Sequence, residues 1–301
     1  MNPETCPFTF EDIQTCKDIS FEKVKKDYQQ LCNFDALTNP RKFCGNPTLY
    51  YYQFRNLINC CRENGKTIKE VFDKPEDIDA LWKETIKRNK RDKDPLCSAV
   101  DMYECHRINR GAIVFFKAST AKYIYKLFNA KNVLDPTAGW GGRMLGAMSM
   151  GINYTGIDTN TNLKEGYNKM MNELWIGGCE KHKILNPEYK MIWESCLEVD
   201  YSKLDYDLVL TSPPYINMEI YENCPLFDKK TFYQEFLIPM MNKVFEYLKI
   251  DGNMCINISP KMFNDLMKAG YRPPDQEIDL RQQLGKQYKT KSQDLIYVWK
   301  K

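Results

Sequence analysis

One stretch constrains the fold more than any other. Asn132-Val133-Leu134-Asp135 has the texture of a short buried strand, and Pro136-Thr137-Ala138-Gly139-Trp140-Gly141-Gly142-Arg143 follows it directly. Glycines at 139, 141 and 142 let the backbone turn tightly and approach a ligand with no Cβ in the way. A helical pattern opens at Gly142, and a second strand pattern, Tyr154-Thr155-Gly156-Ile157, ends in Asp158. Asp135 and Asp158 stand 23 residues apart, the span expected of strand, helix and strand. A helical return of this kind brings the second strand back parallel to the first.

The rest of the C-terminal part repeats the alternation. Strand patterns fall at Met191 to Trp193, Tyr206 to Leu210, Asn253 to Ile258 and Asp294 to Trp299, with helices from Thr161 and from Thr231 to Leu248. The spacing predicts an α/β fold, a mostly parallel Rossmann-like sheet with helices on both faces. Residues 1 to 105 read as mostly helical, with segments from Phe21, from Tyr50 to Cys61, Ile68 to Phe72 and Ile78 to Lys90. Tyr51, Phe54, Leu57 and Ile58 share one helical face. A charged stretch from Lys87 to Pro95 suggests a boundary just beyond it, dividing the chain into 1–105 and 106–301.

Composition excludes several classes. At 43% hydrophobic and 13% aromatic, the 301 residues can bury a sizeable core and are not predominantly disordered. No run of 18 apolar residues is present, so no membrane span is expected. The start, MNPETCPFTF, lacks a secretory pattern, which points to an intracellular protein, cytoplasmic or in the nucleoid or nucleus, and not secreted. The 12 cysteines form no CxxC pair, and the histidines are His106 and His182 alone, so no metal site is expected. Reduced cysteines serving as small hydrophobes account for that composition. A net charge of +3 is too small to mark a nucleic-acid binder by itself.

In such sheets ligands bind at the carboxyl ends of the strands. Asp135 is placed there to meet a cation, which suits the ammonium of an amino-acid-like ligand. Asp158, at the end of the second strand, is placed to accept from ribose hydroxyls. A ribose joined to a charged amino-acid end describes S-adenosylmethionine (SAM). After the fourth strand stands Thr211-Ser212-Pro213-Pro214-Tyr215. Paired prolines fix φ and donate no backbone hydrogen bonds, leaving rigid carbonyl acceptors. Together with the Ser212 hydroxyl these can hold an exocyclic amine, and Tyr215 offers a face for a base.

These motifs resemble the amino-methyltransferases, which methylate exocyclic nitrogens of DNA bases. Their cofactor motif D-P-F-x-G-x-G matches Asp135 to Gly141, with Thr137 in place of the aromatic; their [D/N/S]-P-P-[Y/F/W] motif matches Ser212 to Tyr215. Phe115 to Lys122 resembles the upstream motif that helps hold the methionine end of the cofactor. The resemblance spans about residues 110 to 299. It implies SAM binding by Asp135, Pro136, Thr137, Gly139, Gly141, Asp158, Lys117 and Ser195, and catalysis by Ser212, Pro213, Pro214 and Tyr215. Ser195 stands where many members carry an acid for the adenine, with Glu194 beside it.

The implied reaction is in-line methyl transfer from a sulfonium to a neutral amine, with no covalent enzyme intermediate. The implied partner is DNA, its target base flipped into the site. The Thr-Ser-Pro-Pro-Tyr form favours cytosine N4 over adenine N6. An RNA base amine, a protein glutamine side chain and a non-catalytic SAM- or nucleic-acid-binding subunit are the alternatives. Sequence recognition is expected from the N-terminal helices with Lys87 to Lys93, or from Arg281, Lys286, Lys289 and Lys291. Asn217 to Phe227 is expected to close over the base.

Overall fold

The structure, a computed structural model, describes residues 4–38, 44–62, 65–92, 96–109, 113–177, 186–215, 219–220, 227–228, 230–279 and 295–301. The N-terminal part is helical: α1 Phe10–Thr15, α2 Phe21–Asn33, α3 Asn46–Leu57, α4 Ile68–Phe72, α5 Pro75–Asp92 and α6 Ala99–Asn109, with a short strand β1 Cys61–Arg62 after α3. Local chemistry starts these helices. Thr9 and Thr67 each form a capping box with the acid three residues on, Asp12 and Glu70. Ser20 caps α2. Gly45 has no side chain to cap α3, and buried Asp27 of α2 takes over. Its carboxylate accepts from Gly45 N at 2.9 Å, Thr48 N at 3.1 Å and Thr48 Oγ1 at 2.7 Å.

The second part runs α7 Ala118–Leu127, β2 Asn132–Asp135, α8 Gly142–Met148, β3 Asn153–Ile157, α9 Lys164–Gly177, β4 Tyr189–Ile192 and β5 Leu208–Thr211. It continues β6 Glu219–Ile220, α10 Ile238–Glu246, β7 Asn253–Ile258, α11 Pro260–Lys268, β8 Gln276–Asp279 and β9 Leu295–Lys300. Among the described residues seven strands form one sheet in the order β4-β3-β2-β5-β7-β9-β8. Strands β2 to β5 and β7 are parallel, and β9 is antiparallel to both of its neighbours. The chain winds outward from β2 to β4, then returns to lay β5 against the other side of β2. That reversal opens a crevice at the carboxyl ends of β2 and β5, where the glycine and proline loops leave the sheet.

Both faces of the central strands are buried, and alternation assigns the side chains. Val133, Leu208, Leu210, Cys255, Ile296 and Val298 join one hydrophobic cluster. Leu134, Val209, Met254, Ile256, Tyr297 and Trp299 join the other. The first cluster also contains Ile13, Leu31, Leu49 and Trp82 from the N-terminal helices. Lys122 of α7 is buried and donates to the carbonyls of Leu31 at 2.6 Å and Cys32 at 2.8 Å, closing the end of α2.

The α/β sheet with its N-terminal helical region is the fold class expected. The expected division at 105/106 falls inside α6, and residues of the N-terminal helices join the same hydrophobic cluster as one face of the sheet. Strand β8, helix α11 and the antiparallel pair of β1 with β6 were not anticipated. Lys87 and Arg88 lie in α5, whereas Lys93 and the basic set Arg281, Lys286, Lys289 and Lys291 lie outside the described residues. Of the loop from Asn217 to Phe227, only Glu219, Ile220 and Phe227 are described. No helix among the described residues is long and apolar enough to cross a membrane.

Candidate functional site

The loop after β2 is held by its backbone. Gly139 and Gly141 have φ of +57° and +85°, the left-handed region that side chains disfavour. At Gly142 the reason is space, since a Cβ would lie 2.0 Å from the Phe116 carbonyl oxygen. Asp158 pins the loop from β3, its carboxylate accepting from Gly139 N at 2.7 Å and from Asn160 N at 2.8 Å. Tyr167 of α9 donates to the Gly139 carbonyl at 2.9 Å. Burial pushes the Asp158 carboxyl above its ordinary range, the two amides opposing that shift.

Asp135 is placed differently from the expectation that it meets a ligand's ammonium. Its side chain is fully buried and does not line the crevice. One oxygen accepts from Arg143 Nε and Tyr154 Oη, each at 2.6 Å. The other accepts from Thr211 Oγ1 at 2.8 Å. Burial opposes the Arg143 charge, and Asp135 beside it more than compensates, holding the guanidinium protonated. The physical reason for this placement is local. Arg143, the second residue of α8, reaches back to the strand end and occupies the carboxylate. Asp135 therefore ties β2, β3, β5 and α8 together beneath the loop.

Two adjoining cavities open above this knot. The smaller, of about 220 Å³, is lined by Pro136, Thr137, Gly139, Asp158 and Ser195, with Glu194 beside them. Trp140, Leu163, Phe227 and Phe236 supply apolar walls. The larger, of about 550 Å³, is lined by Lys117, Pro213 and Tyr215, and by Asn46, Tyr50 and Arg107 from the helical layer. Thr137, Gly139, Trp140, Ser212 and Pro214 border both. The expected residues are thus gathered at one crevice, apart from Asp135 below it and Gly141, whose Cβ position faces Met170 and Tyr167.

Thr137 and Ser212 join the two loops. Thr137 Oγ1 lies 2.6 Å from Thr211 Oγ1 and 3.1 Å from the Ser212 carbonyl oxygen. Thr137 thereby forms a polar cross-link where the family motif carries an aromatic. Ser212 Oγ donates to Asn257 Oδ1 at 3.4 Å, and Asn257 Nδ2 donates to the Leu295 carbonyl at 2.8 Å. With its proton directed at Asn257, the Ser212 hydroxyl presents lone pairs to other donors.

Sequence reasoning missed Trp140, Phe236, Asn257, Tyr50 and Arg107. Trp140 was visible as a large aromatic among glycines. Phe236 sits in a π-helical turn, Tyr233–Leu237, ahead of α10, which no spacing in the sequence announced. The other three reach the crevice through tertiary packing.

No protein-family model matches the chain, and no curated protein sequence does. Solved structures do resemble it. TrmN from Thermus thermophilus aligns at 13% identity and TM-score 0.42 over 61% of this chain, which spans about half (48%) of that protein. An rRNA methylase from Streptococcus thermophilus aligns at 12% identity and TM-score 0.41, over 63% of this chain and 99% of the other. An RNA methyltransferase from Salinibacter ruber, in complex with S-adenosyl-L-homocysteine, aligns at 17% identity and TM-score 0.37, covering 62% and 92%.

Proposed function

We propose that this chain is a SAM-dependent methyltransferase acting on an exocyclic base amine of a nucleic acid, with cytosine N4 in DNA as the favoured target. The observation that carries this reading is the meeting of two cavities at Ser212 and Pro214, directly across from the glycine loop. The smaller cavity suits the nucleoside of SAM. Asp158 at its edge is an acceptor for ribose hydroxyls, and Trp140, Leu163 and Phe236 form walls for a flat ring. Ser195 and Glu194 are the polar groups for the ring edge, and Lys117 in the larger cavity suits a carboxylate.

Bound SAM supplies an electrophilic methyl on a sulfonium. The chain's own part is positioning and electrostatics. A base amine is a weak nucleophile because its lone pair is delocalised into the ring. Accepting its hydrogens at Ser212 Oγ and the Pro213 carbonyl draws them from the ring plane and frees that lone pair. Held by these acceptors, the amine nitrogen would take the methyl that SAM supplies and release one proton to solvent. Tyr215 stacks on the base and offsets part of the cost of extruding it.

The test is direct. The purified protein is incubated with SAM and unmethylated DNA, and in parallel with RNA, since two similar structures are described as RNA or rRNA methylating enzymes. Products are digested to nucleosides and identified by mass spectrometry. N4-methylcytosine or N6-methyladenine from DNA supports the reading and names the base. A methylated nucleoside from RNA alone moves the substrate. No methylated nucleoside, with SAM binding intact, overturns the catalytic reading in favour of a binding subunit.

Asp158→Ala is expected to weaken SAM binding by about 10- to 100-fold, the scale of a hydrogen bond to a charged group. Titration calorimetry measures it, and unchanged affinity would remove the ribose role. The pH dependence has a definite sign. Above its raised pKa Asp158 is a full acceptor; as pH falls through that pKa it protonates and SAM affinity drops. The drop is centred above the ordinary aspartate value and is absent in Asp158→Asn.

A further inference from the structure

The larger cavity has a wall that the catalytic motifs do not account for. Tyr50 of α3 and Arg107 of α6 reach it from the helical layer. The charged residues lining this cavity among those described are Arg107, Lys117 and Arg143, all cations. Arg143 is neutralised by Asp135 beneath the loop. Arg107 is held differently. Its Nε and Nη2 donate to Glu104 Oε2 at 2.8 and 2.7 Å, while Lys17 Nζ takes Glu104 Oε1 at 2.8 Å.

One carboxylate therefore serves two cations, and the cluster keeps a net positive charge. The side chains of Lys17, Glu104 and Arg107 are 22–25% exposed, so that charge is only partly screened. Both contacts to Glu104 use one edge of the guanidinium. That fixes the plane of Arg107 and, among the described residues, leaves its Nη1 and outer Nη2 protons for an anion, a fork geometry suited to phosphate. Lys17 also lies 5.6 Å over the Tyr50 ring, and Tyr50 packs edge-on to Phe115 at 4.9 Å, so the wall is preorganised.

We propose that Arg107 binds a backbone phosphate of the nucleotide whose base enters this cavity. The helical layer thereby holds the nucleic acid at the point of transfer. This rests on the proposed function, and it adds a phosphodiester subsite to that reading. The competing anion is the carboxylate at the amino-acid end of the cofactor, which the test separates.

The test measures binding of a fluorescently labelled DNA oligonucleotide by anisotropy between 50 and 200 mM salt, with SAM affinity followed by calorimetry. Arg107→Gln is expected to weaken oligonucleotide binding about tenfold and to reduce the slope of log K against log salt by about one. Arg107→Lys, which keeps the charge, is expected to retain most of the slope with part of the affinity. SAM affinity is expected to be unchanged in both. Oligonucleotide affinity and slope unchanged in Arg107→Gln, with wild-type binding intact, overturns the inference alone. Loss of SAM affinity in Arg107→Gln assigns the residue to the cofactor carboxylate and overturns it too. Absence of oligonucleotide binding by the wild type, with DNA and with RNA of the same sequence, overturns the nucleic-acid reading and the inference together.

Discussion

Asp135→Ala is expected to cost about 3–5 kcal/mol of folding stability, the scale for breaking a buried ion pair by removing one partner. The geometry sets that size. Asp135 is fully buried and Arg143 is 5% exposed, so the orphaned guanidinium keeps its charge with almost no water to solvate it. Tyr154 and Thr211 lose their acceptor at the same time. Against a typical total of about 5–15 kcal/mol, this is a large fraction. Urea unfolding measures it. The double variant Asp135→Ala/Arg143→Leu, which removes both charges, is expected to lose less than the sum of the single changes. A loss under 1 kcal/mol in Asp135→Ala would show that the ion pair does not hold the crevice together. It would also return Asp135 to the list of candidate ligand contacts.

The second large effect is on chemistry alone. Tyr215 lines the larger cavity and not the smaller, whereas Pro214 borders both. Tyr215→Ala therefore separates substrate from cofactor more cleanly than a change at Pro214. Removing an aromatic under a stacked base costs about 1–3 kcal/mol, or roughly five- to 150-fold in kcat/KM. SAM affinity is expected to stay within about twofold. Steady-state kinetics on the substrate identified by mass spectrometry, with calorimetry alongside, would check both halves. Full activity in Tyr215→Ala would remove the stacking role. A parallel loss of SAM binding would place Tyr215 in the cofactor site.

Much of the crevice was legible in the chain. The strand from Asn132, the glycine turn and the helix from Gly142 follow from rules acting over a few residues. Alternation buries a strand on both faces, and positive φ at 139 and 141 calls for glycine. The position of Asp158 follows from the same local unit, and Ser212 to Tyr215 from the stiffness of paired prolines. What Asp135 touches was not legible, because the choice between a ligand and Arg143 depends on how far α8 reaches back over the strand end. The helical N-terminus was readable as helices, but its packing onto the sheet was not. The charged run near Lys87 marked a change in composition and not a gap in the core.

The division has a physical basis. Sequence alone determined the parallel α/β frame, the two loops at its carboxyl edge and the kinds of side chain those loops present. Periodicity, φ restriction and capping are settled among near neighbours along the chain. Only the tertiary structure decided that β9 turns antiparallel between β7 and β8, that Asn257 accepts the Ser212 proton, and that Arg107 and Tyr50 enter the same cavity as Tyr215. Those outcomes depend on which apolar faces bury against each other, and burial is a property of the whole packed core.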